Sequence, residues 1–273
     1  MCGRYVLAKD YEELKARFVL TPLDFARGKQ SDFSIKPRYN IAPQQENPVI
    51  VKGGADSSKG QTRASAAHET AAHKTTPTQS SPPSSLGKGA GGLGFLQHME
   101  LMQWGLVPHW AKDSKIGYKM INARAESVAE KPSFREPFKK QRCLVPATGF
   151  YEWVVEPKDP KRKTPIFIHL KKQELYAFAG LYSIWGEGDK LKKTYTIITT
   201  EANDYLRKYH DRMPVILSRD EEEKWLDPNA DTSELLKLLD PYPADQMEAY
   251  EVSTMVNKPV NDSPENIKPV KAA

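Results

Sequence analysis

Apolar positions along the chain return with two periods, and the stretches between them are short. From Tyr11 to Leu20 they recur every three or four residues, which predicts an amphipathic helix. Pro48–Lys52, Glu100–Val107, Arg142–Val155, Pro165–Leu170 and Ala177–Trp185 are β-prone runs, and Tyr195–Thr200 is the clearest strand. A last strand is expected at Ala249–Ser253. Shorter helices are expected at Ala125–Lys131, where Pro132 stops the run, and at Glu201–Lys208, Glu221–Leu226 and Thr232–Leu239. The strands follow one another without regular crossover helices. That pattern favours a mixed α+β domain over a doubly wound sheet, and no internal repeat interrupts it.

One segment breaks the pattern. Residues 53–94 are dominated by Ser, Thr, Gly, Ala and Pro and contain no aromatic residue. Such a stretch cannot bury enough apolar surface to offset its ordering entropy. It is expected to be a disordered insertion between two strands, an overgrown hairpin loop whose closure cost rises only slowly with length. His68 and His73 lie in it and read as solvated loop residues.

The rest of the composition narrows the setting. The 273 residues carry a net charge of +5, which is compatible with a polyanionic partner without requiring one. Only two cysteines are present, Cys2 and Cys143, so no disulfide framework exists and a reducing compartment is expected. The N-terminus lacks an apolar signal region, and no run is long enough to span a membrane. A soluble intracellular protein is expected, and no cofactor or metal is called for.

Four groups of residues carry candidate chemistry. Met1-Cys2-Gly3 yields, once Met1 is removed, an amine and a thiol on adjacent carbons. An α-amine titrates near about 8 and is partly neutral at physiological pH. It can form an imine with an aldehyde, and the neighbouring thiol can close a thiazolidine ring. Asn122-Ala123-Arg124 follows Trp104 and Trp110; Arg124 suits phosphate, and either indole suits base stacking. Glu152 stands between Tyr151 and Trp153, where desolvation would raise its pKa toward that of a general acid or base. His210-Asp211-Arg212 follows a predicted helix, and a carboxylate beside an imidazole can orient it. Each group alone has a bland reading as core, surface pair or solvated loop.

Taken together, the blocks MCGRY, RYNIAP, MQWGLVPHWAKD, INARAES, FREPF, RCLVPATGFYEW, YTIITTEAN and HDRMPVIL fall in an order that resembles the SRAP family, the SOS-response-associated peptidase domain. The resemblance runs from residue 1 to about residue 260. It implies a domain over residues 1–265 with the 53–94 insertion and a short tail at 266–273. With the strand pattern, the expected architecture is a single domain with a largely antiparallel, barrel-like sheet and peripheral helices. The resemblance also implies covalent capture of abasic sites in single-stranded DNA by Cys2, with self-removal of Met1. It places the catalytic set on Cys2, Asn122, Glu152 and His210. The DNA-binding set falls on Arg4, Asn40, Pro43, Trp104, Arg124, Thr199 and Arg212. Implied partners are abasic single-stranded DNA and replication-fork proteins; a monomer in the nucleus is expected, with no membrane contact. Two alternatives stay open on the residues alone. One is an N-terminal-cysteine amidohydrolase of the class II glutamine amidotransferase type. The other is a non-covalent reader of modified or single-stranded DNA.

Overall fold

A computed structural model describes residues 2–20, 35–53, 96–156 and 159–270. Thirteen strands and four α-helices follow one another in these residues. In chain order they are β1 (Tyr5–Leu7), α1 (Tyr11–Phe18), β2 (Arg38–Ile41), β3 (Glu46–Gly53), β4 (Leu96–Trp104), β5 (Asn122–Arg124), α2 (Arg135–Lys140), β6 (Arg142–Ala147), β7 (Gly149–Glu156), β8 (Asp159–Leu170), β9 (Tyr176–Trp185), β10 (Lys192–Glu201), β11 (Arg212–Pro214), β12 (Ile216–Leu217), α3 (Arg219–Leu226), α4 (Thr232–Leu236) and β13 (Met247–Glu251).

Five strands close on themselves. β10 pairs with β4, β4 with β3, β3 with β6, β6 with β9, and β9 returns to β10. The β10–β4 pairing is parallel and the other four are antiparallel, so the barrel is mixed. Closure removes the open edges that a flat sheet would present. A second, antiparallel sheet runs β13-β8-β7-β1-β2. The α+β expectation, with a barrel and peripheral helices, agrees with this architecture.

The two sheets share one aromatic core. Tyr5 of the second sheet packs edge-on against Trp104 at 5.3 Å and Phe178 at 6.0 Å, both in the barrel. Trp104 stacks on Tyr195, and the hydroxyls of Tyr5 and Tyr195 lie 2.9 Å apart. Buried phenols need such partners, because an unmade hydrogen bond there costs about 1–3 kcal/mol. The helices are tied on from outside. The buried Arg142 guanidinium donates to the carbonyls of Phe138, Lys139, Trp225 and Asp227, and so closes the C-terminal ends of α2 and α3. Arg17 of α1 makes a bidentate pair with Glu222 of α3 at 3.0 and 2.8 Å.

Several elements differ from the sequence expectation. Arg142–Val155 is two strands, not one. The chain leaves the barrel at Thr148, whose amide donates to Val6 O, and continues as β7 in the other sheet. Gly149 permits that passage: a Cβ there would sit 2.2 Å from the Phe167 ring. Glu201–Lys208 is a strand end followed by turns instead of a helix, because Asn203 accepts the Leu206 amide and donates to Tyr242 O. Ala125–Lys131 holds only a single 3-10 turn at Ala125–Ser127, with turns after it. β3 and β4 pair from Glu46↔Gln103 to Gly53↔Leu96, so residues 54–95 connect two paired strands. Those residues, with the expected disordered insertion, His68 and His73, lie outside the described residues. Residues 266–270, expected in a tail, pack on the domain: Asn266 is buried and Val270 donates its amide to Glu251 O.

Candidate active site

The site lies where the N-terminal strand of one sheet meets the barrel of the other. β1 pairs with β7 in the register Tyr5↔Phe150, and Tyr151 donates its amide to Arg4 O at 3.1 Å. This lays residues 2–4 alongside Tyr151 and Glu152. From the barrel side, β5 pairs in parallel with β10, Ile197 opposite Asn122 and Thr199 opposite Arg124. The Asn122 amide then donates to the Cys2 carbonyl at 2.9 Å, a bond that joins the two sheets at the predicted nucleophile. Asn122 Oδ1 is buried without a hydrogen-bond partner among the described residues. It is therefore placed to accept from a group arriving beside Cys2.

The electrostatics follow from burial. Cys2 is fully buried. Burial, and then the Glu152 carboxylate, push its thiol well above the ordinary range. Its sulfur approaches Arg4 O at 3.8 Å. Glu152 is 4% exposed, and burial lifts its carboxyl to about 7, against the pull of the amino-terminal charge. His210 moves the other way, below its usual value, because of burial and then the same amino-terminal charge. Its Nδ1 accepts the Arg212 amide at 2.9 Å and lies 2.7 Å from the Asp211 carboxylate. These contacts compete, since the first needs a bare Nδ1 and the second a protonated one. The lowered pKa favours the neutral ring. Cys2, Glu152 and His210 thus all respond to the chain's amino terminus. The four residues expected to be catalytic come together.

The expected DNA-binding residues divide into two groups. Arg124 is exposed on β5, and Arg212 lies on β11, which pairs with the far edge of β10 through Glu201↔Arg212. Thr199 on β10 stands between these two strands. It is buried; its hydroxyl donates to Ala123 O at 3.4 Å, and its carbonyl accepts from Arg212 Nη2 at 2.6 Å. Pro43 sits half-buried in the turn after β2. Arg4, half-buried, and Asn40, fully buried, are engaged by protein partners. Arg4 donates to Asn40 Oδ1 at 2.8 Å and to the Val256 carbonyl, and the Asn40 amide donates to the Val256, Lys258 and Asn261 carbonyls.

Trp104 also lies in the interior. It is fully buried and donates its indole N–H to Ile121 O at 2.8 Å. In this structure it supports the residue just before Asn122 and presents no face to a base. The neighbouring Trp110 is 50% exposed, and it is the indole of the two that can stack on a ligand. It belongs to a loop closed at its base by Leu106 N to Met120 O and by Gly105, which has a φ of +123° and where a Cβ would lie 2.6 Å from Gly117 O.

An open pocket of about 460 Å³ lies next to Cys2 in the chain, lined by Gly3, Arg4, Trp153, Lys161, Lys163 and Asn257. Arg4 lies over the Trp153 ring at 5.7 Å, and Trp153 donates to Asn257 Oδ1 at 2.7 Å. The two lysines, Lys161 and Lys163, lie on β8. Their spacing of two puts them on one face of β8, and that is the signal that pairs them. Among the described residues, no group of three His, Cys, Asp or Glu side chains forms a metal seat, and no helix is long and apolar enough to cross a membrane.

The family described as SOS response associated peptidase (SRAP) matches residues 1–259. The chain is 41% identical over 271 residues to the Bacillus subtilis abasic site processing protein YoqW, covering 98% of this chain and 99% of that one. It is 36% identical over 196 residues to the Gallus gallus abasic site processing protein HMCES, covering 62% of this chain and 57% of the relative. In fold it is similar to a crystal structure from Bacteroides thetaiotaomicron, with a TM-score of 0.73, 26% identity and coverage of 98% of this chain and 100% of the other. A Bordetella bronchiseptica structure shares the fold at a TM-score of 0.63 and 20% identity, covering 92% of this chain and 100% of the other. With the family match over residues 1–259 and 41% identity to a relative over nearly the whole chain, this protein belongs to the SRAP family.

Proposed function

We propose that this protein processes abasic sites in single-stranded DNA by trapping them covalently on Cys2 after Met1 is removed. The observation that carries this reading is the junction at Cys2. Cys2, which becomes an aminothiol once Met1 is removed, is buried and held through its carbonyl by Asn122, beside a carboxyl raised to about 7.

The chemistry follows from those groups. The ring-closed sugar must open to its aldehyde. His210 serves that proton transfer, taking the proton of the anomeric hydroxyl and passing one to the ring oxygen. The α-amine of Cys2 adds to C1′, and loss of one water gives an imine. The thiol then adds to the imine carbon; a carbon–sulfur bond forms, and the thiol proton passes to the ring nitrogen. Glu152, poised near neutrality, takes a proton from the amine as it attacks and returns one to the departing hydroxyl. Because burial keeps the thiol protonated, the amine acts first and the sulfur second. Asn122 fixes the Cys2 carbonyl and offers Oδ1 to the amine. Arg124 and Arg212 bind flanking phosphates, Trp110 stacks on a base, and Trp104 holds the β5 approach. Single strands are favoured since no duplex stacking need be broken.

The test is a denaturing gel of the protein with an abasic oligonucleotide. A heat-stable adduct that disappears in Cys2→Ala supports the reading, and an undiminished adduct in that variant refutes it.

A further inference from the structure

The guanidinium of Arg212 is already taken. Its Nη1 and Nη2 donate to the two carboxylate oxygens of Glu126 at 2.5 and 3.1 Å, in the forked geometry that arginine also offers to phosphate. The two partners differ in mobility. Arg212 has a side chain 12% exposed, is anchored to Thr199 O at 2.6 Å, and has a buried Nε without a partner among the described residues. Glu126 has a side chain 49% exposed and sits on the single 3-10 turn that follows Arg124. The ion pair holds Glu126 ionised, with its carboxyl below the usual range.

A half-buried guanidinium without a counter-charge is costly, so the free protein gains from a carboxylate there. A bound strand brings its own anion to the same place, between Arg124 and Arg212. Two anions cannot share one fork. The anchored partner stays and the exposed one leaves.

We propose that Glu126 is an exchangeable carboxylate that occupies the phosphate seat on Arg212 and is displaced by a backbone phosphate when a single strand binds. This rests on the strand-binding reading above. The exchange makes binding weaker than two free arginines would allow, and it favours ligands that place a phosphate at that point. It also couples the seat to the active site, because the Arg212 amide holds His210 Nδ1.

The experiment is a salt titration of binding to an undamaged oligothymidylate, read by fluorescence anisotropy, with wild type, Glu126→Gln and Glu130→Gln. Glu130 is exposed and removes the same charge without touching Arg212. Glu126→Gln is expected to tighten binding about three- to tenfold at low salt, with Glu130→Gln changing it less than twofold. Equal effects from both variants would overturn the exchange, since net charge alone would then account for them. Weaker binding by a folded Glu126→Gln, checked by thermal melting, would also overturn it and make Glu126 a mere support for Arg212. Absence of wild-type binding to the oligonucleotide would overturn the strand-binding reading itself, and the exchange with it.

Discussion

Cys2 and Cys143 are alike in almost every property that is usually asked of a cysteine. Both are free, both are fully buried, and burial raises both thiols. Their surroundings separate them. Cys143 lies in β6 of the barrel, opposite Gly180, and burial is the only influence acting on its thiol. Cys2 has Asn122 on its carbonyl, the Glu152 carboxylate nearby and the chain's amino terminus beside it. Burial therefore does not make a reactive cysteine in this protein. The proposed reactivity of Cys2 rests instead on an adjacent amine, a carboxyl near neutrality and a strand that fixes both.

The largest effect should come from exchanging the two sulfurs' fates. Cys2→Ala is expected to abolish the covalent adduct with an abasic oligonucleotide. Cys143→Ala should leave the adduct rate unchanged and cost about 1 kcal/mol of stability, read by denaturant unfolding. Loss of the adduct in a folded Cys143→Ala protein would remove the distinction.

Removing the carboxyl that sets Cys2 apart comes next. Glu152→Gln should slow adduct formation by about 10²-fold or more while leaving affinity for undamaged single strands in place. The pH dependence has a definite sign. Glu152 is raised from an ordinary 4.5 to about 7 in the folded protein, so the folded state holds its proton more tightly than the unfolded one. Wild-type stability should thus fall as pH rises through that window, by at most about 3 kcal/mol at ~1.4 kcal/mol per pH unit. Glu152→Gln should flatten the fall, seen as Tm against pH from 4.5 to 7.5. Over the same upper range the wild-type adduct rate should rise, as Glu152 gains its basic form and His210 is already neutral. A rate that declines from pH 6 to 8 would contradict the proton-transfer roles.

The two tryptophans extend the comparison to the DNA face. Trp104→Ala should cost about 3–5 kcal/mol of stability, as for other large buried aromatics. Trp110→Ala should leave Tm unchanged and weaken single-strand binding by about 1–3 kcal/mol. The smallest expected effect is at Arg124, whose change to Glu should weaken binding most at low salt and reduce the slope of affinity against salt.

The sequence pattern made much of this legible, and the failures have physical reasons. The long strands at 176–185 and 192–201 and the helix at 11–18 follow from periodicity, since their buried faces are continuous. The short strands β1, β5 and β11 carry much of the site and are too brief to show a period. They exist because β10 and β7 offer edges for them. The family blocks indicated Cys2, Asn122, Glu152 and His210, whereas burial had to come from the fold. Hence Trp104 read as a contact residue while it belongs to the core, and Trp110 gained weight only from its exposure. The Glu126–Arg212 pair spans 86 residues of sequence, and no local pattern signals it.

The central claim is that the amine and the thiol of one residue act together. Intact-mass spectrometry of the protein after incubation with an abasic oligonucleotide tests this most directly. The account predicts one species whose mass equals the chain without Met1, plus the oligonucleotide, minus one water, and which borohydride leaves unchanged, whereas an open imine made by the amine alone would gain two hydrogens. An adduct that still carries Met1, or a protein mass unchanged by the lesion, would contradict it.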